Sequence, residues 1–83
     1  VRGAVQGVGF RWWTQRKATK LGLRGAVTNQ GDGSVEVHVA GHHDVIAELE
    51  RCLGKGPSAS RVSSVERTAS RLPIPTDGFT IEG

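Results

Sequence analysis

Residues 23–40 carry two strand patterns that are separated by the short segment Gln-Gly-Asp-Gly. The second pattern, SVEVHVA at 34–40, alternates valine with other residues, as in a strand that buries one face. Glycine and aspartate in the intervening segment favour a tight reversal of the chain. The sequence therefore predicts an antiparallel hairpin with strands over 23–29 and 34–40. The residues expected on the buried face of the second strand are Val35, Val37 and Val39.

Apolar residues at helical spacing on both sides of the hairpin predict two amphipathic helices. The first covers residues 10–21 and ends at Gly22, and the second covers residues 44–54 with Asp44 as its N-terminal cap. The predicted buried face of the first helix consists of Phe10, Trp13, Ala18 and Leu21. The predicted buried stripe of the second consists of Val45, Ile46, Leu49, Cys52 and Leu53.

Weaker strand patterns follow the second helix at 61–69 and in the segment FTIE at 79–82. A strand that runs into Val5 would complete the order βαββαβ, with an extra short strand at the end. Two helices on one face of a mainly antiparallel sheet bury a single core, which is an α+β architecture. With no linker and no repeat, residues 1–83 are expected to form one domain. Because few residues precede the loop that follows Val5, we expect the first strand to begin before Val1.

The segment VQGVGFR at 5–11 places two glycines and an arginine at the start of the first helix. The N–H groups of a first helical turn lack partners and carry partial positive charge, and glycines let preceding N–H groups turn to the same point. The guanidinium of Arg11 suits phosphate oxygens. A dinucleotide-binding loop is excluded because Trp12 stands where that motif needs glycine. These residues favour an anion-binding loop, with a structural turn beside a surface arginine as the alternative.

Two segments of the chain resemble the two signatures of the acylphosphatase family. The first is GAVQGVGFR, Gly3 to Arg11, and the second is GAVTNQGDGSVEVHVAG, Gly25 to Gly41, while the tail GFTIEG is similar to the family's last strand. The resemblance implies a ferredoxin-like βαββαβ sandwich. It also implies an enzyme that hydrolyses the carboxyl–phosphate bond of acylphosphates, with inorganic phosphate as product and inhibitor and with no cofactor or metal.

The resemblance also implies roles for particular residues. Arg11 would bind the phosphate and Asn29 would position the attacking water. The implied phosphate cradle consists of Gln6, Gly7, Val8, Gly9 and Phe10, together with Arg11. An acylphosphate is an activated mixed anhydride, so positioning and charge stabilisation suffice for its hydrolysis. The chain departs from the family at Ala26, where an aromatic residue is usual, and at Thr28, where a basic one is usual.

Other residues have simpler explanations. The net charge of +3 suits an anionic partner or an ordinary basic surface. Core or cavity-wall roles are favoured for Trp12 and Trp13 over base stacking. A chance surface cluster is favoured over a metal site for the three histidines: His38, His42 and His43. Cys52 is expected to be a buried structural thiol.

A single cysteine cannot form an internal disulfide, which fits a reducing cytoplasm. No stretch approaches the roughly 20 apolar residues of a membrane span. We therefore expect a cytoplasmic, monomeric acylphosphatase with a small acylphosphate substrate and no nucleic-acid partner.

Two rival functions stay open at this point. One is a non-catalytic domain similar to the amino-terminal domain of hydrogenase-maturation carbamoyltransferases, in which proline typically follows the arginine; here that residue is Trp12. The other is a nucleic-acid-binding module, which should expose aromatic residues on its strands, whereas the predicted strands hold only Phe79.

Overall fold

The computed structural model describes residues 1–68 and 74–82, which form five strands and two helices. In chain order they are β1 (Arg2–Ala4), α1 (Phe10–Lys20), β2 (Arg24–Asn29), β3 (Val35–Ala40), α2 (His43–Lys55), β4 (Arg61–Ser64) and β5 (Phe79–Glu82). This order confirms the predicted α+β class and the extra short strand at the end.

The hairpin of β2 and β3 pairs in full, from Arg24 opposite Ala40 to Asn29 opposite Val35. Its turn is closed by backbone hydrogen bonds from Gln30 N to the Ser34 carbonyl at 2.8 Å and from Gly33 N to the Gln30 carbonyl at 3.2 Å. The hairpin prediction is confirmed, with each strand beginning one residue later than expected. Asn29 thereby stands at the last pair before the turn.

The other strand pairs join this hairpin to the rest of the sheet. β5 lies parallel to β2, on the side away from β3. β1 lies antiparallel to β4. Val1 and Val35 exchange two backbone hydrogen bonds, of 2.7 and 2.8 Å, which bring the β1–β4 pair alongside β3. The sheet is thus mainly antiparallel, with one parallel pair.

Two predicted boundaries were wrong. The strand expected over 61–69 ends at Ser64, where its pairing with β1 stops at Arg2; residues 65–68 are not in a strand, and residue 69 lies outside the described part of the chain. The cap of α2 is His42 instead of Asp44, because His42 keeps an extended backbone and its Nδ1 accepts a hydrogen bond from the Asp44 N–H at 3.3 Å.

The core lies between the helices and the sheet. Its buried cluster consists of Val5, Phe10, Ala18, Leu23, Val27, Val35, Leu49, Leu53 and Phe79. Six predicted core residues are only partly buried and pack against this cluster: Trp13, Leu21, Val37, Val39, Val45 and Ile46. Cys52 is half-buried, and Thr14, which was not predicted for the core, is fully buried. Neither helix of the described ranges has the length and apolar content that a membrane crossing needs.

Candidate active site

The loop between β1 and α1 depends on two glycines with left-handed backbone angles. Gly7 has φ of 75° and Gly9 has φ of 77°, a conformation that L residues with a side chain rarely adopt. A Cβ at either position would meet no atom within 4 Å, so the backbone angle, and not crowding, requires glycine here. Val5 and Phe10 are buried on either side and fix the ends of the loop in the core.

The first turn of α1 has no capping side chain. The N-terminal cap residue is Gly9, which has no side chain that could accept a hydrogen bond from the helix. The first turn also contains no acidic residue. In α2, by contrast, the His42 side chain caps the helix and Asp44 lies in its first turn. The free N–H groups and the dipole of α1 are therefore available to an external anion.

A cavity of about 150 Å³ opens at this helix start. It is lined by Val5, Gly7, Gly9, Phe10, Arg11, Trp12, Asn29 and Ile81. The structure thus brings Arg11, from the first turn of α1, to the same cavity as Asn29, from the end of β2. A larger groove of about 1010 Å³ lies between β3, α2 and residues 65–68, and none of the predicted site residues lines it.

Asn29, which lines the small cavity, has an acceptor atom without a partner among the described residues. Its Oδ1 is buried, and it receives no hydrogen bond from the described part of the chain. A buried polar atom without a partner is costly, by about 1–3 kcal/mol, so such atoms are usually satisfied by water or by a ligand. The amide is thus suited to hold a water molecule beside Arg11.

The Gln6 side chain faces the hairpin turn instead of a ligand. Its Nε2 donates to the Gln30 carbonyl at 2.8 Å and to the Ser34 carbonyl at 2.9 Å. Both amide hydrogens are occupied, so any contribution of Gln6 to the predicted cradle comes from its backbone. The side chain instead ties the glycine loop to the turn that directly follows Asn29. No local sequence signal indicates this link, because its partners lie 24 and 28 residues away.

Of the remaining candidates, only Trp12 lines this cavity. Imidazole nitrogens of His42 and His43 and a carboxylate oxygen of Asp44 lie within 4.8 Å of one another, but all three side chains are exposed and none lines the cavity. Trp13 packs on the core, with its ring centroid 5.6 Å from that of Phe10, and Trp12 is a cavity wall, both as predicted.

Sequence reasoning missed Ile81 as a cavity residue. It reaches the cavity because β5 runs parallel to β2 and pairs Ile81 with Val27, two residues before Asn29. The alternation of FTIE indicates a strand but not the strand beside which it lies.

Comparisons with known proteins bear on the family and the fold of this chain. The family model described as acylphosphatase matches residues 1–81. The acylphosphatase of Koribacter versatilis is 46% identical over 83 residues, which is 100% of this chain and 76% of the relative. The crystal structure of acylphosphatase from Bacillus subtilis has a TM-score of 0.91 at 35% identity and covers 100% of this chain and 92% of that one. The crystal structure of HypF from T. kodakarensis has a TM-score of 0.82 at 38% identity, but the match spans only 11% of that longer chain.

Proposed function

Since this chain belongs to the acylphosphatase family, we propose that it hydrolyses acylphosphates in the cavity lined by Arg11 and Asn29. The products are a carboxylate and inorganic phosphate. The observation that carries the assignment of the site is the meeting of three features in one cavity: an uncapped helix start, an arginine, and a buried amide oxygen without a partner.

In the proposed complex the phosphoryl oxygens accept hydrogen bonds from the backbone N–H groups of the loop from Gln6 to Phe10. The Arg11 guanidinium binds the same group as a planar fork. These donors are already in place before the substrate binds, and they face the position where charge develops during phosphoryl transfer. Such preorganised donors stabilise the transition state without any reorganisation during the reaction.

Asn29 positions the nucleophile, which is a water molecule. Its Oδ1 accepts a hydrogen bond from a water molecule and thereby directs a lone pair of the water oxygen at phosphorus. The new bond forms between this oxygen and phosphorus, the bond from phosphorus to the acyl oxygen breaks, and its electron pair leaves with the carboxylate. None of the described residues that line the cavity is a carboxylate, imidazole or thiol, so we assign the water's proton to a phosphoryl oxygen of the substrate.

The decisive experiment is steady-state hydrolysis of benzoyl phosphate, with phosphate inhibition, by the wild type and by the Arg11→Ala and Asn29→Ala variants. Loss of a charged contact worth about 1.5–3 kcal/mol should weaken phosphate inhibition by Arg11→Ala about ten- to a hundredfold, with turnover nearly abolished. Asn29→Ala should lower kcat by about two to three orders of magnitude, the scale of one preorganised polar group, and change phosphate inhibition far less.

Lys20→Ala is the matched control, because it removes a cation from the last turn of the same helix, away from the cavity. An Arg11→Ala variant with undiminished kcat/KM would remove Arg11 from the mechanism. If Asn29→Ala spared kcat and raised the inhibition constant of phosphate, Asn29 would belong to the cradle and would not position the water.

We propose that no metal takes part, since the described residues of the cavity offer no carboxylate, imidazole or thiolate to bind one. Hydrolysis should therefore be unchanged after treatment with EDTA. Loss of activity that Mg²⁺ or Zn²⁺ restores would contradict this site and would direct attention to the exposed cluster of His42, His43 and Asp44.

A non-catalytic acylphosphatase-like domain is the second candidate, because the same fold occurs within the longer HypF chain. Absence of benzoyl phosphate hydrolysis by the folded wild type would favour it. A nucleic-acid platform is disfavoured, since Phe79 is the only aromatic residue on the strands of the described ranges other than histidine, and it is buried.

We further propose one domain over residues 1–83, a monomeric state and a cytoplasmic location, the last because a lone cysteine forms no internal disulfide. Sedimentation or size-exclusion measurements would test the monomer. The expectation of a first strand that begins before Val1 stays a prediction.

A further inference from the structure

Both large apolar side chains that are exposed in the described part of the chain lie on the same small cavity. Trp12 is 56% exposed and Ile81 is 38% exposed, and both line the cavity that contains Arg11 and Asn29. Single exposed apolar residues are common on protein surfaces, whereas contiguous exposed apolar surface marks interaction sites and ligand-binding grooves. These two come from different elements, α1 and β5, so their meeting is a product of the fold.

The Trp12 ring is held in place by a neighbour. The guanidinium carbon of Arg16, one helical turn further on, lies 4.7 Å from the ring centroid. Such a cation–π contact favours one orientation of the ring. An aromatic side chain that is already oriented loses little conformational freedom when a ligand packs on it.

An acylphosphate has two parts with different needs. The phosphoryl group requires the N–H groups of the loop and Arg11, at the cavity of about 150 Å³. The acyl group, which is joined to it through one oxygen, must then extend over the cavity mouth. The surface that it meets there is provided by Trp12 and Ile81.

We propose that Trp12 and Ile81 form an acyl-binding rim that selects acylphosphates with an aromatic acyl group over those with a small one. This inference rests on the proposed function and adds the substrate class. An aromatic acyl group packs on the indole ring and on the isoleucine side chain and removes apolar surface of both from water. An acetyl group is too short to gain the same contact.

The test compares kcat/KM for benzoyl phosphate and acetyl phosphate in the wild type, Trp12→Ala, Trp12→Phe and Ile81→Thr. The ratio of the two values, benzoyl over acetyl, should fall about tenfold in Trp12→Ala, the scale of one lost aromatic contact. It should fall less in Ile81→Thr, which keeps a β-branched residue in β5, and it should be largely retained in Trp12→Phe.

Two further measurements separate a rim from a general structural role. Phosphate inhibition should change much less in Trp12→Ala than in Arg11→Ala, because phosphate has no acyl part. The Lys20→Ala control, on the same helix, should keep the wild-type ratio. Circular dichroism confirms that each variant is folded.

The outcomes distinguish the two levels of the proposal. If the wild type hydrolyses both substrates and the ratio is the same in Trp12→Ala and Ile81→Thr, the rim is refuted while the proposed function stands. If the wild type hydrolyses neither substrate, both the acyl-binding rim and the proposed function are refuted. A ratio that drops in Trp12→Ala and recovers in Trp12→Phe supports the rim.

Discussion

The Gln6 side chain links the glycine loop to the hairpin turn, and Gln6→Met removes that link while keeping the size of the residue. The two hydrogen bonds, of 2.8 and 2.9 Å, would each contribute about 0.5–1.5 kcal/mol. Both acceptors keep a backbone partner, because Gly33 N donates to the Gln30 carbonyl and Gln30 N donates to the Ser34 carbonyl. No carbonyl is left unpaired, so we expect the pair together to stabilise the fold by about 1–2 kcal/mol, the lower part of the range.

The same link sets the position of Asn29 relative to the loop, since Gln30 is the next residue. Without this link, the water that we propose Asn29 holds should be less well aligned with the phosphoryl group. A misalignment of about 1 Å can cost as much as a hundredfold in rate, so we expect kcat to fall about ten- to a hundredfold. The inhibition constant of phosphate should change little, because the backbone N–H groups and Arg11 are still present. Gln6 is in this sense a positioning residue.

Urea unfolding followed by circular dichroism measures the stability, and steady-state kinetics with phosphate inhibition measures the split between kcat and binding. Gln15→Met is the matched control, since the Gln15 Nε2 donates one hydrogen bond of 2.9 Å to the Phe79 carbonyl outside the loop. It should lose about half as much stability and keep its kcat. If Gln6→Met lost stability but had the same kcat as the control, the link would be structural only. An unchanged free energy of unfolding in Gln6→Met would refute the contribution of about 1–2 kcal/mol expected from the two hydrogen bonds.

Three further predictions concern stability. Thr14 is fully buried, and its hydroxyl has no hydrogen-bond partner in the described part of the chain. Thr14→Val should therefore raise the free energy of unfolding by up to about 1 kcal/mol, and a loss of that size would reveal a missed partner. Hydrogen bonds from the hydroxyl and N–H of Ser34 lower the pKa of Asp32 to about 2. The Asp32 carboxylate therefore stabilises the fold at pH values above its unfolded pKa of about 4. This stabilisation is lost as the pH falls from about 4 to 2. Asp32→Asn should unfold with a weaker pH dependence over that interval, and parallel acid titrations of both proteins would contradict it. Gly25 has φ of 154°, and a Cβ at this position would overlap the His38 carbonyl. Gly25→Ala should therefore lower the free energy of unfolding in urea by about 3 kcal/mol or more. A loss below about 1 kcal/mol would show that β2 and β3 can move apart at this pair.

The elements that the sequence predicts well are those with local patterns. The β2–β3 hairpin rests on alternating valines and a glycine-rich turn, and α1 rests on helical spacing that ends at Gly22. The glycine loop before α1 and the position of Arg11 also follow from a local pattern, and the role of this loop as an anion site stays a prediction. Asn29 entered only through the resemblance to a family, because a lone asparagine near a turn carries no chemical signal of its own.

The parts that were missed depend on contacts between distant segments. The hydrogen bonds from the Gln6 side chain to the turn carbonyls were not predicted, because they follow from how the loop packs against the hairpin. Ile81 reaches the site through the parallel pairing of β5 with β2, which no pattern in either strand specifies. The cap of α2 was placed at Asp44 because carboxylates are common caps, whereas the His42 imidazole takes that role through its ring nitrogen.

The uncapped start of α1 has a consequence for the whole fold. A helix that lacks its own cap is completed by whatever anion occupies the site, so substrate or phosphate should raise the melting temperature by mass action. A side-chain cap holds an extended backbone, as His42 does in α2, whereas Gly9 has left-handed angles. The backbone that shapes the glycine loop therefore also keeps a side-chain cap out of this position. In the proposed site the N–H groups of α1 stay open until a ligand binds, and the free protein lacks the stability that a cap would add.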